Sequence, residues 1–209
     1  MSRVVLLEDF DAPSMDDRLK WYCPPARWFL QASRLVVQPD AKTDYWQKTH
    51  YGFAVDNGHF LYLEMQGDFL LSTRVHFFPA HQYDQAGLMV YISPECWLKT
   101  SVEYEPEGPN RLGAVVTRSG YSDWSTQNFP TSEQAIALRI RREGEDYGVE
   151  YQGAEVPESG GRVNWIQIRI AHLENPEGKP VRCGLYACSP IAAGYTAGFD
   201  YLKIEQTGS

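Results

Sequence analysis

The sequence predicts an all-β fold, a sandwich of two antiparallel sheets. Three observations carry this. Short runs of alternating apolar and polar residues recur along the chain, bounded by Gly, Pro, Asn and Asp. No stretch shows the periodicity of a long amphipathic helix. Aromatic residues are abundant, with 6 Trp, 13 Tyr and 9 Phe, a composition suited to pleated, half-buried surfaces. No repeat, low-complexity linker or shift in composition divides the chain, so residues 1–209 are read as one domain.

In order, the first strand is expected over residues 4–10. Residues 16–20 read as a short helical turn before Trp21, and Pro24-Pro25 cannot lie inside a regular element. Leu35-Val36-Val37 is a short strand. Residues 43–52 are polar and aromatic without period and read as a loop. Asp56-Asn57-Gly58-His59 is a turn, followed by a strand over residues 60–65 and a second turn at Gly67-Asp68. Residues 69–78 alternate most clearly. Phe69, Leu71, Thr73, Val75 and Phe77 form a core face, opposite Leu70, Ser72, Arg74, His76 and Phe78.

Residues 83–125 organise the chain. Strands are expected over 83–92, 97–104 and 113–118, with turns between them, and residues 119–125 read as a loop. Only Ser93-Pro94-Glu95-Cys96 separates the first two strands, so they should be antiparallel neighbours. Beyond them, residues 135–142 and 147–151 read as a hairpin and Gly160-Gly161 as a break. Residues 163–171 form a strand with Ile166, Ile168 and Ile170 inward and Trp165, Gln167 and Arg169 outward. Residues 181–189 and 198–205 close the chain.

The hydrophobic fraction is 43% and the charged fraction 22%, ordinary for a soluble globular protein. A net charge of −8 disfavours nucleic acid as a partner. No apolar run reaches membrane-spanning length, and the N-terminus carries no signal-peptide pattern. Cys23, Cys96, Cys183 and Cys188 lack zinc-type spacing. Cys183 and Cys188 fall on opposite faces of one strand, so free thiols in a reducing, cytoplasmic setting are expected.

Alternation also sorts the central strands. Ala86, Leu88, Val90 and Ile92 should face the core, leaving Gln85, Gly87, Met89 and Tyr91 on the other face. On the next strand Trp97, Lys99, Ser101 and Glu103 share a face, opposite Leu98, Thr100, Val102 and Tyr104. Paired, the two strands bring Gln85, Tyr91, Trp97, Lys99 and Glu103 onto one surface. Arg74 and His76 extend it if residues 69–78 belong to the same sheet. Lys99 and Glu103 read equally as a solvated outer face, with cross-strand ion pairs worth about 0–1 kcal/mol. Trp46, His50 and Tyr51, and Asp123 with Trp124, are either ligand contacts or aromatic plugs at the rim.

Catalytic motifs are sparse. No GxSxG, HExxH or P-loop occurs, and the five histidines show no metal-ligand spacing. Glu103 and Glu105 lie two apart on one face, but Pro106 follows at once, placing Glu105 at a hairpin mouth.

Several ordered segments resemble the DUF1349 family: Thr43-Asp44-Tyr45-Trp46 with His50-Tyr51-Gly52, Tyr83-Asp84-Gln85-Ala86-Gly87-Leu88, Trp97-Leu98-Lys99, Val102-Glu103-Tyr104, Val115-Val116-Thr117, Ser122-Asp123-Trp124-Ser125 and Ala187-Cys188-Ser189-Pro190. The resemblance covers nearly the whole chain. It implies a concanavalin A-like lectin/glucanase jelly roll whose concave sheet face binds saccharides, and little about activity. It leaves three expectations open: a carbohydrate-binding, lectin-like protein for a saccharide or other small polar ligand; a glycoside-active enzyme using Glu103 with a second carboxylate; and a protein-binding regulator of carbohydrate metabolism. No cofactor is expected. The resemblance implies one metal alternative, a structural calcium held by Asp200 and Asp9 if the terminal strands pair.

Overall fold

The computed structural model describes residues 2–152, 164–175 and 177–208. Among them there are strands and turns and no helix. The strands are β1 (Arg3–Glu8), β2 (Lys20–Tyr22), β3 (Arg27–Leu30), β4 (Leu35–Gln38), β5 (Tyr45–Gln47), β6 (Ala54–Asp56), β7 (His59–Met65), β8 (Phe69–Phe78) and β9 (Gln85–Ser93). They continue as β10 (Cys96–Glu103), β11 (Asn110–Arg118), β12 (Tyr121–Phe129), β13 (Ala135–Glu143), β14 (Asp146–Gln152), β15 (Ile166–His172), β16 (Val181–Cys188) and β17 (Thr196–Gln206).

Two antiparallel sheets pack as a sandwich. One has the order β15-β14-β13-β8-β17-β4-β3, with β1 also on β17; the other runs β12-β11-β10-β9-β16-β7-β2. The core lies between them. Leu71, Val75, Leu138 and Ile204 from the first sheet meet Leu88, Val90, Leu98 and Leu185 from the second, all fully or almost fully buried. Each such side chain stabilises the fold by roughly 1.5–3 kcal/mol relative to exposure.

A second apolar cluster covers the opposite face of the β12-to-β2 sheet. Met89, Trp97, Tyr186 and Phe60 rise from the sheet, and the β5–β6 hairpin closes over them with Tyr45 and Trp46. Both faces of the central strands are therefore buried, as the alternation of Leu88, Val90 and Leu98 with Met89, Tyr91 and Trp97 requires. Cys183 belongs to one cluster and Cys188 to the other, and all four cysteines are free.

The expected pairing of β9 with β10 holds, with Trp97 opposite Tyr91 and Glu103 opposite Gln85. Other expectations need correction. Residues 43–52 include β5. Residues 121–125 begin β12, reached through a Ser119-Gly120 turn with φ of 51° and 73°, both positive as a tight type I′ hairpin requires. β12 is the terminal strand of its sheet and mostly exposed, with Ser122 and Phe129 buried, which accounts for its polar composition. The first strand ends at Glu8, and residues 16–20 hold one turn, Leu19 N–H donating to the Asp16 carbonyl at 3.1 Å, before β2 starts.

β15 departs furthest. A register shift at Ile168, opposite Val149 and Glu150, breaks the alternation: Ile168 packs against the core as expected, but beyond it Ala171 is buried and Ile170 exposed, and Ile166 is exposed as well. Arg169 reaches Asp123 of the other sheet at 3.2 Å. Gly160-Gly161 and Val163 lie outside the described residues.

Candidate functional site

The site forms where the β5–β6 hairpin overhangs β9, β10 and β12. Its lid is shaped by backbone geometry. Lys48, His50 and Gly52 have φ of 56°, 62° and 75°, left-handed values unfavourable for the first two. Hydrogen bonds hold that curl: Lys48 N–H to the Phe53 carbonyl and Gly52 N–H to the Lys48 carbonyl, both 2.8 Å. The lid is anchored below by Gln47 N–H donating to Ser122 Oγ (2.8 Å) and by the Tyr45 hydroxyl donating to the Gly58 carbonyl (2.7 Å).

Between lid and sheet lies a pocket of about 300 Å³. Trp46, Tyr51, Phe53, Tyr83, Val115, Trp124, Pro190 and Ile191 supply its apolar walls, and Asp44, Gln85, Lys99 and Glu103 supply its polar surface. Tyr83 holds φ at 71°, an uncommon backbone for a bulky residue, fixed by its N–H bond to the Tyr104 carbonyl at 2.9 Å. Asp84 braces the same corner, accepting from the N–H groups of Ala80 and His81 at 2.8 Å each.

The polar groups form one chain. Lys99, only 3% exposed, donates to Asp44 Oδ1 at 3.1 Å and to Gln85 Oε1 at 2.9 Å. Gln85 in turn donates to Glu103 Oε2 at 3.0 Å and to the Tyr83 carbonyl at 3.1 Å. The Tyr186 hydroxyl donates to Gln85 Oε1 at 3.1 Å. The Lys99 ammonium also lies 5.6 Å from the Tyr186 ring centre and 5.9 Å from that of Trp97, favourable for a desolvated cation.

Burial pushes the Glu103 carboxyl up to about 8. Lys99 opposes that rise, the carboxylates of Asp44 and Glu105 add to it, and the Gln85 hydrogen bond opposes it. Near neutral pH the group is therefore largely a neutral acid, able to donate as well as accept.

A match to the family model described as "Protein of unknown function (DUF1349)" spans residues 21–207. The chain belongs to the DUF1349 family. It is 33% identical over 180 residues to Regulation of enolase protein 1 of Saccharomyces cerevisiae, covering 86% of this chain and 85% of the yeast protein. A solved structure of a functionally unknown protein from Saccharomyces cerevisiae superposes with a TM-score of 0.81 at 29% identity, covering 92% of this chain and 98% of that one. The GH43 protein BlXynB of Bacillus licheniformis shares the fold at a TM-score of 0.72 and 17% identity, over 96% of this chain and 39% of that one.

In this DUF1349 protein Trp46, Tyr51, Gln85, Lys99, Glu103 and Trp124, singled out from the sequence, converge on the pocket. His50 and Asp123 line an adjoining cavity. Trp97 shares their face but is fully buried under the hairpin, edge-on to Tyr45 at 5.9 Å, and serves as packing. Tyr91 lies further along the sheet, its hydroxyl donating to Asp56 Oδ2 at 2.8 Å. Glu105 stands at the hairpin mouth, accepting from Gln82 Nε2 at 2.9 Å.

Arg74 and His76 are misplaced by the sequence reading. β8 belongs to the other sheet, where they meet Asp200 on its outer face. Asp200 accepts from Arg34 Nε at 2.6 Å, meets His76 Nε2 at 2.9 Å and has Arg74 Nε at 3.7 Å, so two guanidinium groups already balance its charge. Asp9 is exposed beyond β1; its neighbour Glu8 is the structural acid, accepting from the N–H groups of Phe10 (2.9 Å) and Asp16 (2.7 Å).

The sequence reading passed over Asp44, Phe53, Tyr83, Val115, Pro190 and Ile191 as site residues. Asp44, Tyr83, Val115 and Pro190 stand inside the segments that carry the family resemblance, which is the available signal, whereas Phe53 and Ile191 lie outside them. Among the described residues no helix is long and apolar enough to cross a membrane.

Proposed function

We propose that this DUF1349 protein is a lectin-like binding protein that takes a saccharide, or a comparable small polar ligand, in the pocket under the β5–β6 hairpin. The observation that carries the reading is the pairing of aromatic walls with a buried polar chain. Flat rings at Trp46, Tyr51, Phe53 and Trp124 suit the C–H faces of a sugar, while Lys99, Gln85 and Glu103 offer directional hydrogen bonds at one end. A neutral Glu103 can both give and receive a bond from a hydroxyl, which an ionised carboxylate cannot.

A glycan array with the wild-type protein and the Trp124→Ala and Glu103→Gln variants tests this. Wild type is expected to retain a defined set of glycans, W124A to lose them and E103Q to weaken modestly. No retention by the wild type would overturn the reading.

One observation favours a second reading, glycoside cleavage. A carboxyl held neutral near pH 7 in a pocket that also contains Asp44 has the makings of a general acid with a second carboxylate. Release of reducing sugar from retained glycans, abolished in E103Q, would support it. The relative named for regulation of enolase suggests a protein-binding role as a further alternative, one that requires no catalysis.

A further inference from the structure

The pocket has a neighbour. A cavity of about 620 Å³ adjoins it, and Trp46, Tyr51 and Trp124 line both spaces. The first space lies at the lower end of small-molecule pockets, which run from about 300 to 1,000 Å³, so it suits a single ring. The second is larger and differs in chemistry. Its lining includes His50, Arg118, Ser122 and Asp123 beside Tyr121, whose ring carries the exposed Lys48 ammonium at 5.3 Å.

The shared wall is made of rings in mutual contact. Tyr51 stacks on Phe53 at 6.0 Å, takes His50 edge-on at 4.7 Å and Trp46 edge-on at 5.4 Å. The Trp46 indole N–H donates to the Thr49 carbonyl at 2.9 Å. A ligand touching both sides of this wall would meet surfaces already in place, without the loss of affinity that ordering them would bring. The second cavity also lies along β12, the terminal strand of its sheet.

From this geometry we infer that the ligand is the end of a saccharide chain, at least two units long. The terminal unit occupies the pocket before Lys99 and Glu103, and the next unit crosses the aromatic wall into the cavity beside β12. The inference rests on the saccharide reading above. Terminal recognition follows from the two chemistries. The enclosed side carries the buried polar chain that reads hydroxyls closely, and the open side carries exposed groups that tolerate continuation.

Titration calorimetry decides the matter, with glucose, mannose and xylose series as probes, each as monosaccharide and disaccharide. In the matching series the disaccharide is expected to bind about tenfold more tightly than its monosaccharide, or better. Tyr121→Ala, at a side chain 59% exposed, should keep the wild-type melting temperature and bring that ratio close to one. Arg118→Ala should lower the ratio as well. A wild-type ratio near one would overturn the two-unit inference while leaving the single-sugar pocket standing. A high ratio untouched by Y121A and R118A would overturn the placing of the second unit. Absence of binding by every probe, together with an empty glycan array, would overturn both the inference and the reading beneath it.

Discussion

Lys99 and Asp44 meet at 3.1 Å across the two layers of the site, one on the sheet and the other at the root of the hairpin. The ammonium is almost wholly buried and the carboxylate mostly so. The pair ties the lid to the floor at the point where the pocket's polar chain begins.

That tie can be measured. Lys99→Met leaves Asp44 without its cation and Gln85 Oε1 with the Tyr186 hydroxyl as its remaining donor, and should cost about 3–5 kcal/mol, the range for breaking a buried pair. Asp44→Asn should cost less, since an amide can still accept from Lys99. In urea titrations the double variant should fall short of the summed single effects by at least about 1 kcal/mol. Additive costs would mean that lid and floor are energetically independent.

Glu103 gives the fold a pH dependence of its own. Its carboxyl titrates near 4.5 when unfolded and about 8 when folded. Below the lower value both states hold the proton and the stabilisation is complete. Between the two the unfolded chain releases its proton first, so stability declines as pH rises, by an amount on the order of a few kcal/mol. Above about 8 the loss levels off. Urea unfolding of wild type and Glu103→Gln, at pH values below, within and above this window, should diverge in slope only within it. Parallel curves throughout would contradict the raised value.

The two tryptophans of the site face should separate cleanly. Trp97→Ala removes a fully buried ring beneath the hairpin and is expected to cost about 3–5 kcal/mol. Trp124 lies on the terminal strand and is only partly buried, so Trp124→Ala should cost no more than about 2 kcal/mol. The opposite order in chemical denaturation would show that the pocket wall, not the packed ring, holds the hairpin down.

Asp200 provides an electrostatic test far from the pocket. Burial would raise its carboxyl, but hydrogen bonds from His76 and Arg34 outweigh that and hold it below the ordinary 3.8. Its contribution is present above that ordinary value and disappears as pH falls through the lowered one. Asp200→Asn should cost about 1–2 kcal/mol at neutral pH, discounted for partial exposure. A calcium ion at this carboxylate would have to displace two cations, so EDTA should leave the melting temperature unchanged. A drop of several degrees would reveal a metal.

Much of this was legible in the sequence. Period-two alternation places Gln85, Lys99 and Glu103 on one face because, from Trp97 to Glu103, β10 pairs with both its neighbours without a register shift. It could not say which sheet β8 joins, since the chain passes from one sheet to the other between β8 and β9; Arg74 and His76 were misassigned for that reason. Alternation puts Trp97 on the surface of Lys99 and Glu103 because it gives direction without showing what covers a side chain, here Tyr45. β12 hid behind polar residues, and β15 behind a register shift that alternation cannot anticipate.

Four pocket residues, Asp44, Trp46, Tyr51 and Phe53, come from one continuous segment, whereas Gln85, Lys99 and Glu103 come from the sheet. The pocket lining is thus divided between a cassette and a chassis. Residues 48–53 could be exchanged between members of the family while Asp44, Tyr45 and Gln47 keep their anchoring bonds to Lys99, Gly58 and Ser122. The shape and chemistry of the pocket would then change along one short stretch of gene, with the sandwich beneath it held constant.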